Sequence, residues 1–500
     1  MSEIRKKSIQ GSIWIYLGFF IGAINTYIFT HKEWFSPEQY GLTRTILELS
    51  MLMFSFSALG TTFFLYKFFP YYQDNLDKKE NDLLGLAIKI SGIGFLITMS
   101  IVFIAEPLII KKFGTNSRLL VEYFYITIPL AFFVLTYNIL ESYSLGFGRG
   151  VTANILKETV LKLYTLILVV LKICGIISFK VFMFLFAAQF ALIVIIFTLI
   201  LKKDGQLWLT FKTSRVTKKY NKKIVSMLSL TFLVLVVSIL RTSIDSLVLA
   251  ARQSLTSVAI FGFASYLVIL MQAPYRSIVS ITIPILSRKW KEKNIKEISR
   301  IYKRSSINLL SFALFIFCLI ALNFNSAIHF FNLNAEYLDG KNVFLILGIV
   351  TIIEMGTGVN GQIIGTSSYF KFELWTNFLL TAMIIPLSYF LTVKYGLIGP
   401  AIANLVSFTV YNGIRYFFLL KKFNMQPFSK KTVEIFLISG VGYLICYFVI
   451  GNNDGLLNII LRTFVFSAFF IALVYFRNVS PDLKPVLYSL LQRLNKLKSK

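Results

Sequence analysis

Residues 202–223 read KKDGQLWLTFKTSRVTKKYNKK, the longest stretch in the first four hundred residues that is too polar to lie in lipid. Eight of these residues are lysine or arginine, and the one acid among them is Asp204. Long apolar runs extend on both sides. We interpret the stretch as a cytoplasmic hinge between two similar membrane halves. The alternative is an ordinary basic loop, and internal repeats decide between the two.

The composition is that of an integral membrane protein. The 500 residues are 56% hydrophobic and 15% charged, with a mean hydropathy of +0.72, whereas about a quarter of a soluble domain is charged. The apolar runs are about 20 residues long, which suits a hydrocarbon core of ~30 Å. A net charge of +28 raises the question of nucleic acid. The basic residues lie in short loops between apolar runs, so we expect no nucleic-acid partner.

The sequence gives no sign of a metal site, a cofactor or an enzyme. Cys174, Cys318 and Cys446 each lie alone in an apolar run, and His31 and His329 stand in separate loops. Such isolated residues predict neither disulfides nor metal ligands. There is no phosphate-binding glycine loop with lysine, no H-E-x-x-H and no G-x-S-x-G, which are motifs of common enzyme classes.

The apolar runs predict an all-α polytopic membrane protein with about 14 transmembrane helices. They are expected near residues 10–30, 42–66, 83–105, 119–145, 155–177, 179–201, 225–250, 258–286, 305–326, 341–365, 372–393, 397–420, 433–450 and 456–476. Segments on the side of the N-terminus hold 34 lysines and arginines, against 7 in the opposite loops. The positive-inside rule therefore predicts that both termini are cytoplasmic.

Four landmarks recur at an offset near 220 residues, with the same helix order between them. The matches are Lys172 with Lys394, Lys202-Lys203 with Lys421-Lys422, Gly41 with Gly262, and Gly146 with Gly365. Because six helices separate the copies, both halves enter the membrane from the same side, as in a parallel repeat. The predicted domains are a six-helix lobe (1–201), a basic cytoplasmic hinge loop (202–224), a second six-helix lobe (225–420), two additional helices (421–476) and a basic amphipathic tail (477–500). We expect the tail to lie on anionic lipids of the inner leaflet.

Charges within the predicted spans are candidates for function, because each costs about 2.5–3.5 kcal/mol at the middle of the membrane. Arg44 and Glu48 lie four residues apart in the second helix, and Arg241 and Asp245 in the seventh. One interpretation is that each pair only satisfies itself in a packed bundle. The functional interpretation is that Arg44, Arg241 and Arg276 face one water-filled cavity and attract an anion, since the guanidinium fork suits phosphate.

The eighth and tenth predicted helices carry further candidates. Arg276 follows Gln272 and has no acid four residues away in its own helix, which makes it the strongest ligand candidate. Asp245, Glu354 and Glu48 are acids at membrane depth and are candidates for binding a coupling ion. Pro274 and the glycine-rich stretch 356–365 suggest helices that bend or line a cavity, or a close helix crossing.

Other charged residues have simpler explanations. Lys157, Arg415 and Arg462 lie near the ends of predicted spans, where we expect long side chains to reach the interface. Glu158 and Lys162 lie four residues apart and are expected to neutralise each other.

Pro37, Glu38, Tyr40 and Gly41 form a P-E-x-Y-G motif that opens the second helix, after a basic N-terminus and a first span. With two six-helix lobes and two trailing helices, the chain resembles the polysaccharide and O-antigen flippases (Wzx-type) of the multidrug/oligosaccharidyl-lipid/polysaccharide exporter superfamily. The resemblance implies a V-shaped pair of lobes that alternate access. It also implies transport of an undecaprenyl-diphosphate-linked oligosaccharide across the bacterial inner membrane, for surface polysaccharides such as lipopolysaccharide. A cationic central cavity is implied too, and Arg44, Arg241 and Arg276 are the positions that can supply it.

Two alternatives stay open. A cation-coupled multidrug antiporter of the same superfamily would share the fold but favour an acidic, aromatic cavity. The arginines count against it, while Asp245 and Glu354 support it and leave H⁺ or Na⁺ coupling open. A membrane glycosyltransferase or polymerase would need a large external loop with catalytic acids, and the external loops predicted here are short.

Overall fold

The computed structural model describes residues 2–451 and 454–482, and within them the chain consists of helices joined by short connections. It divides into two compact units, Met1–Ala259 and Ile260–Lys500. The predicted amphipathic tail lies outside the described residues beyond Asp482.

The first unit holds α1 to α11 and the start of α12. Their bounds are α1 (Ser2–Thr30), α2 (Pro37–Ser57), α3 (Thr61–Gln73), α4 (Leu83–Phe113), α5 (Arg118–Glu122), α6 (Thr127–Leu145), α7 (Gly150–Ile155), α8 (Leu161–Ile173), α9 (Phe179–Ala187), α10 (Gln189–Lys203), α11 (Arg215–Arg252) and α12 (Leu255–Met271). A 3₁₀ turn, Phe124–Ile126, precedes α6, and a π-helical turn, Leu156–Val160, joins α7 to α8. Met53, Met99 and Ala131 bring α2, α4 and α6 together in a buried cluster.

The second unit contains the rest of α12 and the helices that follow it. They are α13 (Ala273–Lys291), α14 (Ile295–Phe330), α15 (Gly340–Gly356), α16 (Asn360–Gly365), α17 (Phe370–Tyr395), α18 (Gly399–Phe423), α19 (Lys430–Ile445) and α20 (Leu456–Phe476). 3₁₀ turns precede α15 (Ala335–Asp339) and α18 (Gly396–Ile398), and a π-helical turn, Cys446–Ile450, follows α19. Leu286, Tyr302, Ile363 and Leu419 belong to one fully buried cluster of this unit.

The prediction of an all-α polytopic membrane protein is confirmed. Among the described residues, eight helical segments are long and apolar enough to cross a membrane, and two bent helix pairs raise the number to ten. The surface fits this assignment, since Leu96, Ile104 and Leu108 on α4 are 69%, 80% and 70% exposed. Apolar surface of that extent requires lipid or a partner to cover it. The count of about 14 spans stays a prediction.

Several helices that we predicted as continuous are broken, and three of the breaks lie in the helices that carry candidate residues or bends. The run 42–66 divides at 58–60, 258–286 divides at Gln272, and 341–365 divides at 357–359; the first two breaks bend the chain by 49° and 48°. Gly60 has φ +79°, and a Cβ there would lie 2.4 Å from the Leu228 carbonyl oxygen, so glycine suits both the turn and the close approach of α11. At the second break, Pro274 occupies the first turn of α13, where its missing N–H costs nothing.

The segment predicted as a hinge belongs to the first unit and is attached to its helices. Arg149 forms an ion pair with Asp204 at 2.5 Å, and the Tyr143 hydroxyl donates to the Gln206 carbonyl at 3.0 Å. Trp208 continues the attachment with an edge-to-face contact to Phe147, at 5.2 Å between ring centroids.

The far end of the segment is held by Asp82. This residue is 2% exposed, and its Oδ2 accepts hydrogen bonds from the Ser214 backbone N–H at 3.0 Å and the Thr217 hydroxyl at 2.8 Å. The hydroxyls of Tyr72 and Thr217 are also 2.7 Å apart. Hydrogen bonds to a buried carboxylate are among the stronger ones, so they fix the start of α11 to the start of α4. The two-lobe repeat, which assigns α11 to the second lobe, stays a prediction.

Candidate functional site

The predicted pair Arg44–Glu48 is present on α2. Arg44 Nη2 lies 3.8 Å from Glu48 Oε1, and both side chains are partly exposed. A third residue joins them from α11, because the Ser246 hydroxyl donates to Glu48 Oε1 at 3.0 Å. The other oxygen, Oε2, is buried and accepts no hydrogen bond from the described residues. Glu48 therefore has one hydrogen-bonded and one open oxygen at the contact of α2 with α11.

The other two charged candidates of the first unit lie on α11. Asp245 is close enough to Glu48 for the two carboxylates to repel each other. Arg241 is partly exposed and takes part in no ion pair or side-chain hydrogen bond with residues 2–451 and 454–482. The pairing of Arg241 with Asp245 that their spacing suggested is therefore not formed, and the guanidinium of Arg241 remains available to a ligand.

In the second unit the structure brings Gln272 and Glu354 together. Gln272 lies at the break between α12 and α13, and its Nε2 donates to Glu354 Oε2 on α15 at 3.4 Å. Tyr275, three residues further, accepts a hydrogen bond from Gln362 of α16 at 3.2 Å. Arg276 is exposed on α13, and its side chain interacts with another part of the protein. The predicted site residues thus fall into two groups, one in each unit.

Sequence reasoning missed an ion pair between α17 and α18. Arg415 was expected to reach the interface, but it is 4% exposed, and its Nη2 lies 2.9 Å from Glu373 Oε1. Its Nε donates to Thr376 Oγ1 at 3.0 Å, and the Tyr411 ring covers the guanidinium at 3.9 Å. The expectation was wrong because the partner lies 42 residues away in the chain, beyond the reach of helical spacing rules.

Further polar groups surround this pair. Asn377 donates to Glu373 Oε1 at 2.7 Å and accepts from the Tyr411 hydroxyl at 3.0 Å. A Cβ at Gly361 would lie 2.6 Å from Arg415 Nη1, so this glycine makes room for the guanidinium. The stretch 356–365 therefore contains a helix break, as one of the two interpretations of its glycines predicted, and it makes room for a side chain of α18 at Gly361.

The expectation of an interfacial side chain was also wrong for Arg462. Arg462 is fully buried and donates to the Leu322 carbonyl at 3.2 Å and the Ser326 hydroxyl at 3.1 Å, which ties α20 to α14. Lys157 stays partly exposed, and its Nζ also lies 3.5 Å from Glu141 Oε2. These partners come from other helices, so the position of each lysine or arginine along its own span did not reveal them.

The described residues contain no group of three or more histidine, cysteine, aspartate or glutamate side chains that could hold a metal ion. Glu158 and Lys162 form the expected ion pair at 2.9 Å. The polar groups of the candidate site are arginines, carboxylates and amides.

Comparison with solved structures shows which known proteins share this fold. No protein-family model and no curated protein sequence matches the chain. Among solved structures, the lipid II flippase MurJ in its inward closed conformation matches with a TM-score of 0.72 at 17% identity, covering 94% of this chain and 99% of that one. An inward-facing multidrug resistance transporter of the MATE family matches with 0.58 at 17% identity, covering 81% and 96%. The MATE multidrug transporter DinF-BH matches with 0.56 at 17% identity, covering 84% and 96%.

All three matched proteins are transporters and none is an enzyme. MurJ and the MATE transporters share one architecture, that of the multidrug/oligosaccharidyl-lipid/polysaccharide (MOP) exporters, and this chain is a multi-pass membrane protein with the MOP fold.

Proposed function

We propose that this protein is a flippase that moves an undecaprenyl-diphosphate-linked oligosaccharide across the bacterial inner membrane, for the synthesis of a surface polysaccharide such as O-antigen. The observation that carries the proposal is the likeness to a lipid II flippase over 94% of this chain, with a TM-score of 0.72. The multidrug transporter covers 81% with 0.58. A lipid-linked cargo is therefore the better supported of the two substrate classes.

The arginines support an anionic cargo. A diphosphate needs compensating charge while it crosses the hydrocarbon region, and a guanidinium can bond two phosphate oxygens at once. Arg241 makes no ion pair or side-chain hydrogen bond among the described residues, although a charge at membrane depth costs about 3 kcal/mol. We propose that Arg241, with Arg44, Arg276 and the amide of Gln272, binds the diphosphate and the first sugar during alternating access.

We propose that the carboxylates couple transport to an ion gradient. Glu48 has a buried oxygen with no hydrogen bond from the described residues, and Asp245 lies near it. Such a pair can take up a proton or Na⁺ to relieve the repulsion between like charges. Glu354, bonded to Gln272, is the corresponding acid of the second unit.

A cation-coupled multidrug antiporter is the second candidate. The MATE likeness and the acids Glu48, Asp245 and Glu354 favour it. Under either function we propose that both termini are cytoplasmic, that two six-helix lobes alternate, and that the basic tail binds anionic lipids.

One experiment separates the two functions. The purified protein is placed in proteoliposomes, either with a fluorescent undecaprenyl-diphosphate oligosaccharide or with the cationic dye ethidium. A flippase makes the lipid-linked sugar accessible to a quencher added outside and leaves the dye distribution unchanged. Dye accumulation driven by a Na⁺ or H⁺ gradient, without movement of the sugar, would overturn the proposal in favour of the antiporter.

A further inference from the structure

A cavity of about 440 Å³ lies in the first unit, between the beginning of α6 and α9. Side chains from the first two turns of α6 line it, together with side chains along the whole length of α9. The cavity is separate from Arg44, Glu48, Arg241 and Asp245, none of which lines it.

The inner part of the cavity is a slot with apolar walls. Pro129 and Phe133 lie one turn apart on α6, while Phe184 and Ala187 line the slot from α9. From Lys180 to Ala187 the slot follows α9 for about 10 Å, at ~1.5 Å per residue. The rings of Phe133 and Phe184 form the two sides of the slot, and the small side chain of Ala187 lies at its end. The narrow apolar space between them suits a hydrocarbon chain.

The mouth of the cavity holds two opposite charges. Glu122 and Lys180 both line it, and both side chains are exposed. Neither forms an ion pair with the other or with another of the described residues. Lys180 lies in the first turn of α9, where the helix dipole adds to its positive charge. Two separated, opposite charges above an apolar slot match a ligand that is itself zwitterionic and carries a hydrocarbon tail.

Two tyrosines complete the mouth and are fixed in place. The Tyr125 hydroxyl donates to the carboxylate of Glu106 on α4, and the Tyr123 ring meets Phe179 edge to face at 5.9 Å. Aromatic faces attract an ammonium group, as does the carboxylate of Glu122. Since these rings are held before any ligand arrives, binding requires little reordering of the protein.

We propose that this cavity binds a zwitterionic phospholipid with a primary amine, phosphatidylethanolamine. Its phosphate lies at Lys180, its ammonium at Glu122 and the tyrosines, and one acyl chain fills the slot between α6 and α9. The carboxylate of Glu122 repels phosphatidylglycerol, which is anionic and has no cation to offer it. The same repulsion excludes a lipid-linked sugar diphosphate, so the site is distinct from the proposed transport cargo.

The test is lipid binding to the purified full-length protein in detergent, after delipidation. Phosphatidylethanolamine, phosphatidylglycerol and phosphatidylcholine are added in turn, and bound lipid is counted by native mass spectrometry. We expect wild type to retain phosphatidylethanolamine in preference to phosphatidylglycerol, which has no cation, and to phosphatidylcholine, whose quaternary ammonium cannot donate a hydrogen bond to Glu122. Glu122→Gln is expected to lose the preference over phosphatidylglycerol, and Lys180→Ala to weaken binding of all three lipids.

Matched controls keep the test independent of folding. Glu33→Gln and Lys32→Ala remove exposed charges of the loop between α1 and α2, outside the cavity, and should leave lipid preference unchanged. Each variant must elute as a single peak in size-exclusion chromatography. Equal retention of the three lipids by wild type, or an unchanged preference in Glu122→Gln, would overturn the proposal. A lipid-linked diphosphate that displaces phosphatidylethanolamine, at a concentration below that of the phospholipid, would assign the cavity to the cargo. That result would overturn the proposal as well.

Discussion

Arg415 and Glu373 form an ion pair between α18 and α17, with Nη2 and Oε1 2.9 Å apart, and the arginine is 4% exposed. Taking two charges out of water is costly, and a buried pair persists when its geometry and its additional hydrogen bonds are good. Thr376 and Asn377 supply those bonds. The pair therefore stabilises the hairpin of α17 and α18 only while both partners are present.

We expect Glu373→Gln to destabilise the protein, because Arg415 would keep a buried charge without its counter-ion. Breaking such a pair costs about 3–5 kcal/mol. The double variant Glu373→Gln/Arg415→Met should recover part of the loss, since it removes both charges. Thermal unfolding in detergent, followed by tryptophan fluorescence, measures both effects. Glu297→Gln is the matched control, because its pair with Arg300 is exposed and contributes ~0–1 kcal/mol. A Glu373→Gln variant as stable as the control would show that the pair is not structural.

The fold was easier to predict than the site, because membrane helices are recognisable by length and hydropathy. The Arg44–Glu48 pair was predictable for a related reason, since residues four apart share a helix face. The Arg415–Glu373 contact was not predictable, because 42 residues separate its partners and only tertiary packing joins them. The bends near Gly60 and Pro274 carried a local signal in turn-forming residues, whereas their angles depend on neighbouring helices.

The segment 202–223 shows the same limit. Its positive charge was evident from the sequence, but its attachment depends on Asp82, which lies 132 residues from Ser214. We expect Asp82→Ala to release the segment, since the backbone N–H of Ser214 and the hydroxyl of Thr217 lose their acceptor. If the variant loses about 1–3 kcal/mol of the free energy that holds the segment in place, the fraction of molecules with the segment released rises roughly 5- to 150-fold. Trypsin should therefore cut near Lys212 and Arg215 faster than in wild type.

Mass spectrometry of the tryptic fragments over time gives the rate at each bond. Asp77→Ala serves as the control, because Asp77 is an exposed acid of the same connection between α3 and α4. Equal cleavage of the Asp82→Ala variant and the control would mean that Arg149, Tyr143 and Trp208 hold the segment without Asp82.

The orientation in the membrane is testable with reporter fusions. The excess of 34 basic residues over 7 predicts that 202–223 is cytoplasmic and that the connection between α14 and α15 is external. Alkaline phosphatase fused after Thr217 should be inactive, and the same enzyme fused after Asn334 should be active. The reverse result at either position would contradict the orientation, and a fusion to a cytoplasmic reporter at the same sites provides the matched control.

Ion coupling is expected to depend on the acids at membrane depth. Asp245→Asn and Glu354→Gln should weaken the dependence of transport on a H⁺ or Na⁺ gradient, because each removes a carboxylate that can bind the ion. Glu48→Gln should do the same, since its open oxygen is lost. Flipping in proteoliposomes is measured with each gradient imposed and collapsed. Wild-type flipping that is equally fast without any gradient would rule out coupling at all three positions.

The arginines give the sharpest test of the anionic cargo. A diphosphate needs positive charge to compensate it. No other described residue pairs with Arg241, so packing explains the charge of this arginine poorly. We expect Arg241→Ala and Arg276→Ala each to abolish flipping while the protein still inserts and accumulates. Lysine at either position should restore activity only in part, because it keeps the charge but loses the fork that bonds two oxygens.

The measurement for these variants is complementation of surface polysaccharide in a deletion strain, with the amount of membrane protein checked by immunoblot. Arg300→Ala is the matched control, since Arg300 is an exposed arginine on α14 whose pair with Glu297 lies at the surface. It should complement fully. An arginine with no role in transport and no structural partner should be replaceable at no loss of activity. Normal polysaccharide from both alanine variants at normal protein level would therefore remove Arg241 and Arg276 from the binding site and leave the anionic-cargo proposal without its residues.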